Sequence, residues 1–180
     1  MADIIDVVVL GPEHHGQRMS LEEFARAEVA NDGLFELERG VVIHMATPRI
    51  THGYAVKIIR DGITLYEYSH PGVIRYVGGG SEAGVCLPGM QSERHPDLSI
   101  YLSPPPPGEQ PWEFWSPDWV VEVVSEGGEQ RDYRLKAEEY LDAGVKVYWI
   151  VDPRDQSVTV LTRRGDTWVS ARHSVRVSHF

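Results

Sequence analysis

Residues 118–125 read DWVVEVVS. Valine is β-branched and favours extended backbone, and a run that is apolar on both alternating faces belongs to a strand buried on both sides of a sheet. Glu122 interrupts the run. A carboxylate in that position is costly unless a cation or hydrogen bonds compensate it. Downstream, residues 131–143 carry Tyr133, Ala137, Tyr140 and Leu141 at helical spacing, and Gly144 fits a left-handed C-terminal cap. KVYWIVD (146–152) is the next buried strand. Pro153-Arg154-Asp155 turns the chain, and SVTVLTRR (157–164) with DTWVSAR (166–172) completes an antiparallel meander. Upstream, DLSIYL (97–102) is a further strand. SPPPPGEQP (103–111) separates it from the central run as a stiff surface loop, because proline has no N–H to offer a helix or a central strand.

The N-terminal half reads outward from the same sheet. IIDVVVL (4–10) is a strand or a loose arm ending at Gly11-Pro12. Ser20 and Glu23 match a capping box, and Leu21, Phe24 and Ala25 give a short apolar face to a helix that Asn31-Asp32-Gly33 ends. LFELERGVVIHMA (34–46) alternates around Arg39-Gly40 as a β-hairpin. Residues 50–69 place Tyr54, Ile58, Leu65 and Tyr68 at helical spacing, despite Gly53 and Gly62, and His70-Pro71-Gly72 stops that helix. GVIRYVGGGSEAGVCL (72–87) reads as two strands joined by a glycine-rich hairpin turn. The expected architecture is α/β: a sheet sandwiched by helices with antiparallel C-terminal strands. The expected organisation is an arm or strand over residues 1–18 and one domain over 19–180.

Composition bounds the function. The 180 residues hold 17 basic and 27 acidic side chains, a formal charge of −10, with 42% apolar and 24% charged residues. That is a globular composition. The acidity argues against a protein that coats DNA by charge, since phosphate neutralisation needs Lys and Arg. One cysteine, Cys86, excludes an intramolecular disulfide and a multi-cysteine zinc site. The acidic N-terminus lacks a signal-peptide pattern, and no apolar run approaches the ~20 residues of a membrane span. A cytoplasmic location with no membrane partner is the expectation.

Chemistry concentrates on a few residues. Asp97 follows Pro96 at the start of a strand, and Glu122 lies 25 residues on, so adjacent strands could bring the two acids together. Close like charges oppose each other's ionisation, and a divalent metal compensates them economically. All-oxygen ligation favours Mg²⁺, with Mn²⁺ possible. Lys136 borders the apolar stripe of its helix and could reach over the sheet toward Glu122, with Asp132 one turn earlier able to hold the amine. The alternative is an ordinary solvent-facing lysine in a surface pair. Glu36 and Glu38 share one face of the hairpin strand, either at a functional site or at a solvent-facing edge. His52 opens the 50–69 helix, where it contacts phosphate or makes a local hydrogen bond. Trp112, Phe114, Trp115 and Trp119 cap the core, form a dimer contact or stack on bases. The remaining histidines show no paired zinc spacing, and Ser125 has no nucleophile-elbow context.

FELERGVVIHMATP, His52 opening a helix, RHPDLSIYL, PDWVVEVVSE and RDYRLKAEEYLDAGVKVYWIVDP occur in this order. The set resembles the Uma family of putative restriction endonucleases, within the PD-(D/E)XK nuclease superfamily, over about residues 19–165. The resemblance implies a restriction-endonuclease-like core with a mixed central sheet flanked by helices. It implies metal-dependent hydrolysis of phosphodiester bonds, most simply in DNA, by a homodimer. It matches Pro96-Asp97, Glu122 and Glu36 to the family's acidic motifs. A standard Glu-X-Lys would place lysine at position 124, where Val124 stands, so the lysine is matched to Lys136 on the following helix. The implied roles are Asp97, Glu122 and the Val123 carbonyl on Mg²⁺, Glu36 on a second metal or its water, and Lys136 orienting the attacking water. His52 and Asp132 are supporting residues. The competing readings are a catalytically silent module of the same fold and a phosphoesterase acting on RNA or small nucleotides.

Overall fold

The computed structural model of the protein describes residues 7–30, 33–108 and 111–175. Residues 4–6 of the first apolar run, Asn31 and Asp32, and residues 109–110 of the proline loop lie outside the described residues. The chain forms two compact units, one from residues 1–47 and 86–94, the other from 48–85 and 95–180. Each is described by itself.

In the first unit, β1 (Val9–Leu10) pairs in parallel with β2 (Glu28–Val29), and Leu10 is buried with Leu21, Phe24, Phe35, Leu37 and Val42. The end of the segment read as a strand or a loose arm is thus a short strand, and it supplies a core residue. Helix α1 (Leu21–Arg26) starts as the capping box requires: Ser20 Oγ accepts from the Glu23 N–H, and Glu23 accepts from the Ser20 N–H. It ends at Ala27, earlier than the sequence suggests. Glu28 and Ala30 instead donate their N–H groups to Val8 and Leu10, so sheet pairing overrides helical propensity there. The predicted hairpin is β3 (Phe35–Glu38) with β4 (Val41–His44), turning at Arg39-Gly40. Both turn residues have positive φ, as a two-residue hairpin turn demands. The four-stranded sheet runs β4-β3-β7-β6, with β6 at Val85–Leu87 and β7 at Ser92–Arg94.

The second unit is built on a six-stranded sheet. Its order is β12 (Thr167–Ser174), β11 (Ser157–Arg164), β10 (Val147–Asp152), β9 (Trp119–Val123), β8 (Leu98–Tyr101) and β5 (Tyr76–Gly78). The valine run is β9, central as expected. It is antiparallel to β8 and parallel to β10, and the meander β10-β11-β12 is antiparallel. The sheet is thus mixed, with antiparallel C-terminal strands.

Side-chain alternation divides this sheet into two faces. Val121 of β9, with Leu98, Ile100, Trp149 and Val151, packs against α2 (Ile50–Ser69) through Ile63, Val56 and Ile59. Glu122 and Tyr148 point the other way, toward α3 (Lys136–Asp142). The crossover between β9 and β10 opens with a π-helical turn, Arg131–Leu135, in which the Lys136 N–H donates to the Arg131 carbonyl. The sequence pattern suggested a uniform helix there.

The glycine-rich segment corrects another expectation. β5 and β6 do not form a hairpin, because they belong to different sheets and a 3₁₀ turn at Gly80–Glu82 follows β5. Gly79 instead presses against the backbone of Asp97: a Cβ built on it would lie 2.0 Å from the Asp97 carbonyl oxygen. Trp112 and Trp115 close a cluster with Tyr76 and Tyr101, whereas Phe114 is exposed. Trp119 packs on Trp149. No helix among the described residues is long and apolar enough to cross a membrane.

Candidate functional site

The register of β8 on β9 pairs Leu98 with Val121, so the next step of the antiparallel ladder sets Asp97 opposite Glu122. The two acids that lie 25 residues apart in sequence thus meet across neighbouring strands. Asp97 sits where β8 begins. Its Oδ2 accepts the Val123 N–H at 2.7 Å and lies 3.0 Å from Nε2 of His52, in the first turn of α2. Gly79 holds the chain close behind the Asp97 carbonyl, and the Gly80 N–H donates to Pro96.

Glu122 is buried. Its Oε1 lies 2.8 Å from Lys136 Nζ and accepts the Tyr140 hydroxyl at 2.5 Å. The lysine is also buried, and its Nζ lies 3.4 Å from Asp132 Oδ1. α3 and the turn before it therefore bury Asp132, Lys136, Glu139 and Tyr140 together. That face is more polar than the stripe of Tyr133, Ala137, Tyr140 and Leu141 suggests. The reading of Lys136 as a solvent-facing side chain does not hold. The Asp132 carbonyl accepts the buried Tyr148 hydroxyl at 2.9 Å, which anchors the π-helical turn to β10. Single extra-residue turns of this kind often re-aim side chains at functional sites.

The electrostatics follow from this packing. Burial pushes the Asp132 carboxyl up, and the neighbouring Lys136 ammonium opposes the shift. The hydrogen bond that His52 donates to Asp97 holds the imidazole above its ordinary value, against the desolvation that would lower it. Burial raises the Tyr148 phenol well above its ordinary value, reinforced by Glu122, Asp132 and Asp97. Three carboxyl groups thus share one locality with one lysine and one titratable histidine.

Glu36 belongs to the other unit. It is buried on β3, so the solvent-edge alternative is excluded. Its Oε2 lies 3.0 Å from Nη1 of the buried Arg94, and the same nitrogen lies 3.0 Å from Glu38 Oε2. The shared face expected for Glu36 and Glu38 is real, and its occupant is an arginine. Sequence reading missed Arg94 because SERHPD shows no strand alternation that would place it in a sheet.

Tyr140 and Gly79 were missed as well. Tyr140 falls in the apolar stripe, and nothing in a tyrosine's spacing reveals where its hydroxyl points. Among the described residues, no group of three His, Cys, Asp or Glu side chains converges as a metal site. Two carboxylates do suit Mg²⁺, which is commonly held through one or two carboxylates together with waters and substrate phosphates. The basic residues Arg49, Lys57 and Arg60 are each paired with an acid: Glu126, Asp61 and Glu82.

Comparison with known proteins agrees with this architecture. No curated protein matches the chain. A crystal structure of a putative nuclease belonging to DUF820, from Anabaena variabilis ATCC 29413, shares the fold. The TM-score is 0.66 at 18% identity, covering 86% of this chain and 83% of that one. The Uma2 family description, putative restriction endonuclease, matches residues 21–178, and the chain belongs to that family.

Proposed function

We propose that the chain is a Mg²⁺-dependent endonuclease that hydrolyses phosphodiester bonds in DNA. The observation that carries this reading is the buried contact of Lys136 with Glu122, on the strand opposite Asp97. A buried lysine against a buried strand acid is expensive to maintain, and sites of this kind are where proteins concentrate functional chemistry.

In this reading Asp97, Glu122 and the carbonyl of Val123 would hold Mg²⁺, or Mn²⁺ in its place. The ion supplies positive charge at the phosphate and acidifies water. Lys136 orients the attacking water with its ammonium and stabilises charge that develops on the phosphoryl oxygens. Asp132 and Tyr140 position that ammonium and the Glu122 carboxylate respectively. His52 fixes Asp97 through Oδ2 and, when protonated, adds a cation near the phosphate. This reading leaves Glu36 with Arg94 and assigns the metal to the other residues.

The charge of −10 and the pairing of Arg49, Lys57 and Arg60 support weak, salt-sensitive substrate binding. The test is a cleavage assay on plasmid DNA, single-stranded DNA, RNA and nucleotides, with Mg²⁺ titrated from zero. DNA cleavage that needs the metal and disappears in folded Asp97→Ala and Glu122→Ala variants supports the reading. Cleavage by either variant at the wild-type rate overturns it, and cleavage confined to RNA or nucleotides overturns the DNA assignment.

A further inference from the structure

Helix α2 has 20 residues and buries only Ile63. Its inner side meets the sheet through Val56, Ile59 and Ile63. On its outer side, Ile50, Tyr54, Ile58, Leu65 and Tyr68 are between 58% and 82% exposed. Their spacing makes one stripe along the helix, about 27 Å long at 1.5 Å per residue. Surface helices of a globular domain usually turn such a stripe inward. Beside it runs an open groove of about 500 Å³, lined by Ile58, Gly62, Tyr66, Val73, Leu102 and Trp149 among others.

Two quantities bear on which partner this face fits. The first is area. Large side chains present roughly 200 Å² each, so these five residues with half-exposed Tyr66 leave on the order of 800 Å² of mostly apolar surface. A standard stable interface takes about 800 Å² from each partner. The second is charge order. Lys57 and Asp61 lie within the stripe, 2.5 Å apart and both exposed, with apolar residues on either side.

An antiparallel copy of α2, related by a two-fold axis beside residue 59, would set Ile50 opposite Tyr68 of the partner subunit. It would set Tyr54 beside Leu65 of the partner subunit, and Lys57 opposite Asp61 of the partner subunit. Apolar would meet apolar and cation would meet anion, twice by symmetry, so the stripe is complementary to itself. A nucleic acid or a lipid surface would need unpaired cations here. Lys57 and Arg60, the helix's cations, each contact an acid instead.

We propose that α2 is an isologous dimer interface whose occupant is a second copy of this chain. The contact stands whether or not the chain cleaves DNA. The experiment is sedimentation velocity on the full chain over micromolar to sub-millimolar concentrations, with circular dichroism on every variant to confirm folding. Wild type should dimerise. Lys57→Glu sets acid against acid at both symmetric contacts and should weaken the dimer by roughly tenfold or more. Asp61→Lys should do the same, the double variant should restore dimerisation, and Leu65→Glu should abolish it. A wild-type chain that stays monomeric throughout overturns the proposal and leaves the face to a different partner. A dimer indifferent to Leu65→Glu overturns the surface, and failure of the double variant to restore it overturns the antiparallel register.

Discussion

Nζ of Lys136 stands 2.8 Å from Oε1 of Glu122, and both side chains are buried. The lysine comes from a helix and the acid from the strand before it, while Val124 occupies the position where a strand lysine two residues after the acid would stand. The π-helical turn ending at Leu135 sets the angular position from which Lys136 projects onto the sheet. The same amine reaches Asp132 at 3.4 Å, so the contact belongs to a small network and not to an isolated pair.

Lys136→Met should leave Glu122 buried without its cation. Removing one partner of a buried ion pair costs about 3–5 kcal/mol, well above the cost of replacing both. The expected result in urea unfolding is a large loss for Lys136→Met and a smaller one for the double variant Lys136→Met/Glu122→Gln. Additive losses would show that the two groups do not interact energetically. DNA cleavage should be lost in both.

Tyr140→Phe deletes the hydroxyl that Glu122 accepts at 2.5 Å and leaves the ring on Tyr148. A hydrogen bond to a charged group contributes about 1.5–3 kcal/mol. Stability should fall by about that amount with the fold retained, and cleavage should drop because the carboxylate loses an anchor. Wild-type stability together with wild-type cleavage would exclude the anchoring role.

Gly79→Ala puts a methyl group 2.0 Å from the Asp97 carbonyl oxygen, a backbone atom that cannot swing aside. Overpacking of this kind costs about 1–3 kcal/mol. The β8 entry should shift, so the variant should lose cleavage more than its lost stability explains at a temperature where it stays folded. Gly53→Ala, on the open side of α2 with no atom nearby, is the matched control and should stabilise slightly.

His52 is held above its ordinary value of 6.5 by Asp97. A group whose folded value is raised stabilises fully below its unfolded value, and the contribution is lost as pH rises through the folded value. Stability should therefore fall as pH climbs upward from about 6.5. His52→Asn should flatten that fall. Urea midpoints measured from mildly acidic to mildly alkaline pH decide the matter, and an equal slope in both proteins would remove His52 as the cause.

Arg94→Met should destabilise the first unit by about 3–5 kcal/mol, since it removes the buried cation 3.0 Å from the buried Glu36 carboxylate. Glu36→Gln should cost less, because Glu38 still faces the guanidinium. If the two substitutions cost the same, Glu38 does not share the arginine. Each variant should retain the metal dependence of DNA cleavage, because the proposed metal set lies on other residues.

Local chemistry determined much of this protein in the sequence alone. β-branched runs at 118–125 and 146–152 became adjacent central strands, Ser20 and Glu23 capped a helix, Arg39-Gly40 turned a hairpin, and residues 50–69 formed one helix. Each depends on propensities and contacts within a few residues, which is what a sequence displays. The cost of burying a carboxylate in DWVVEVVS pointed to Glu122 and to the need for a partner. Tertiary structure decided the rest, because it depends on contacts between residues far apart. The stop of α1 at Arg26 came from pairing with β1, and β5 and β6 parted because each edge found a better partner than the other. Whether Lys136 met Glu122 or water depended on a π-helical turn with no sequence signature. Arg94 closed on Glu36 across 58 residues of chain, a pairing set by sheet order rather than by spacing.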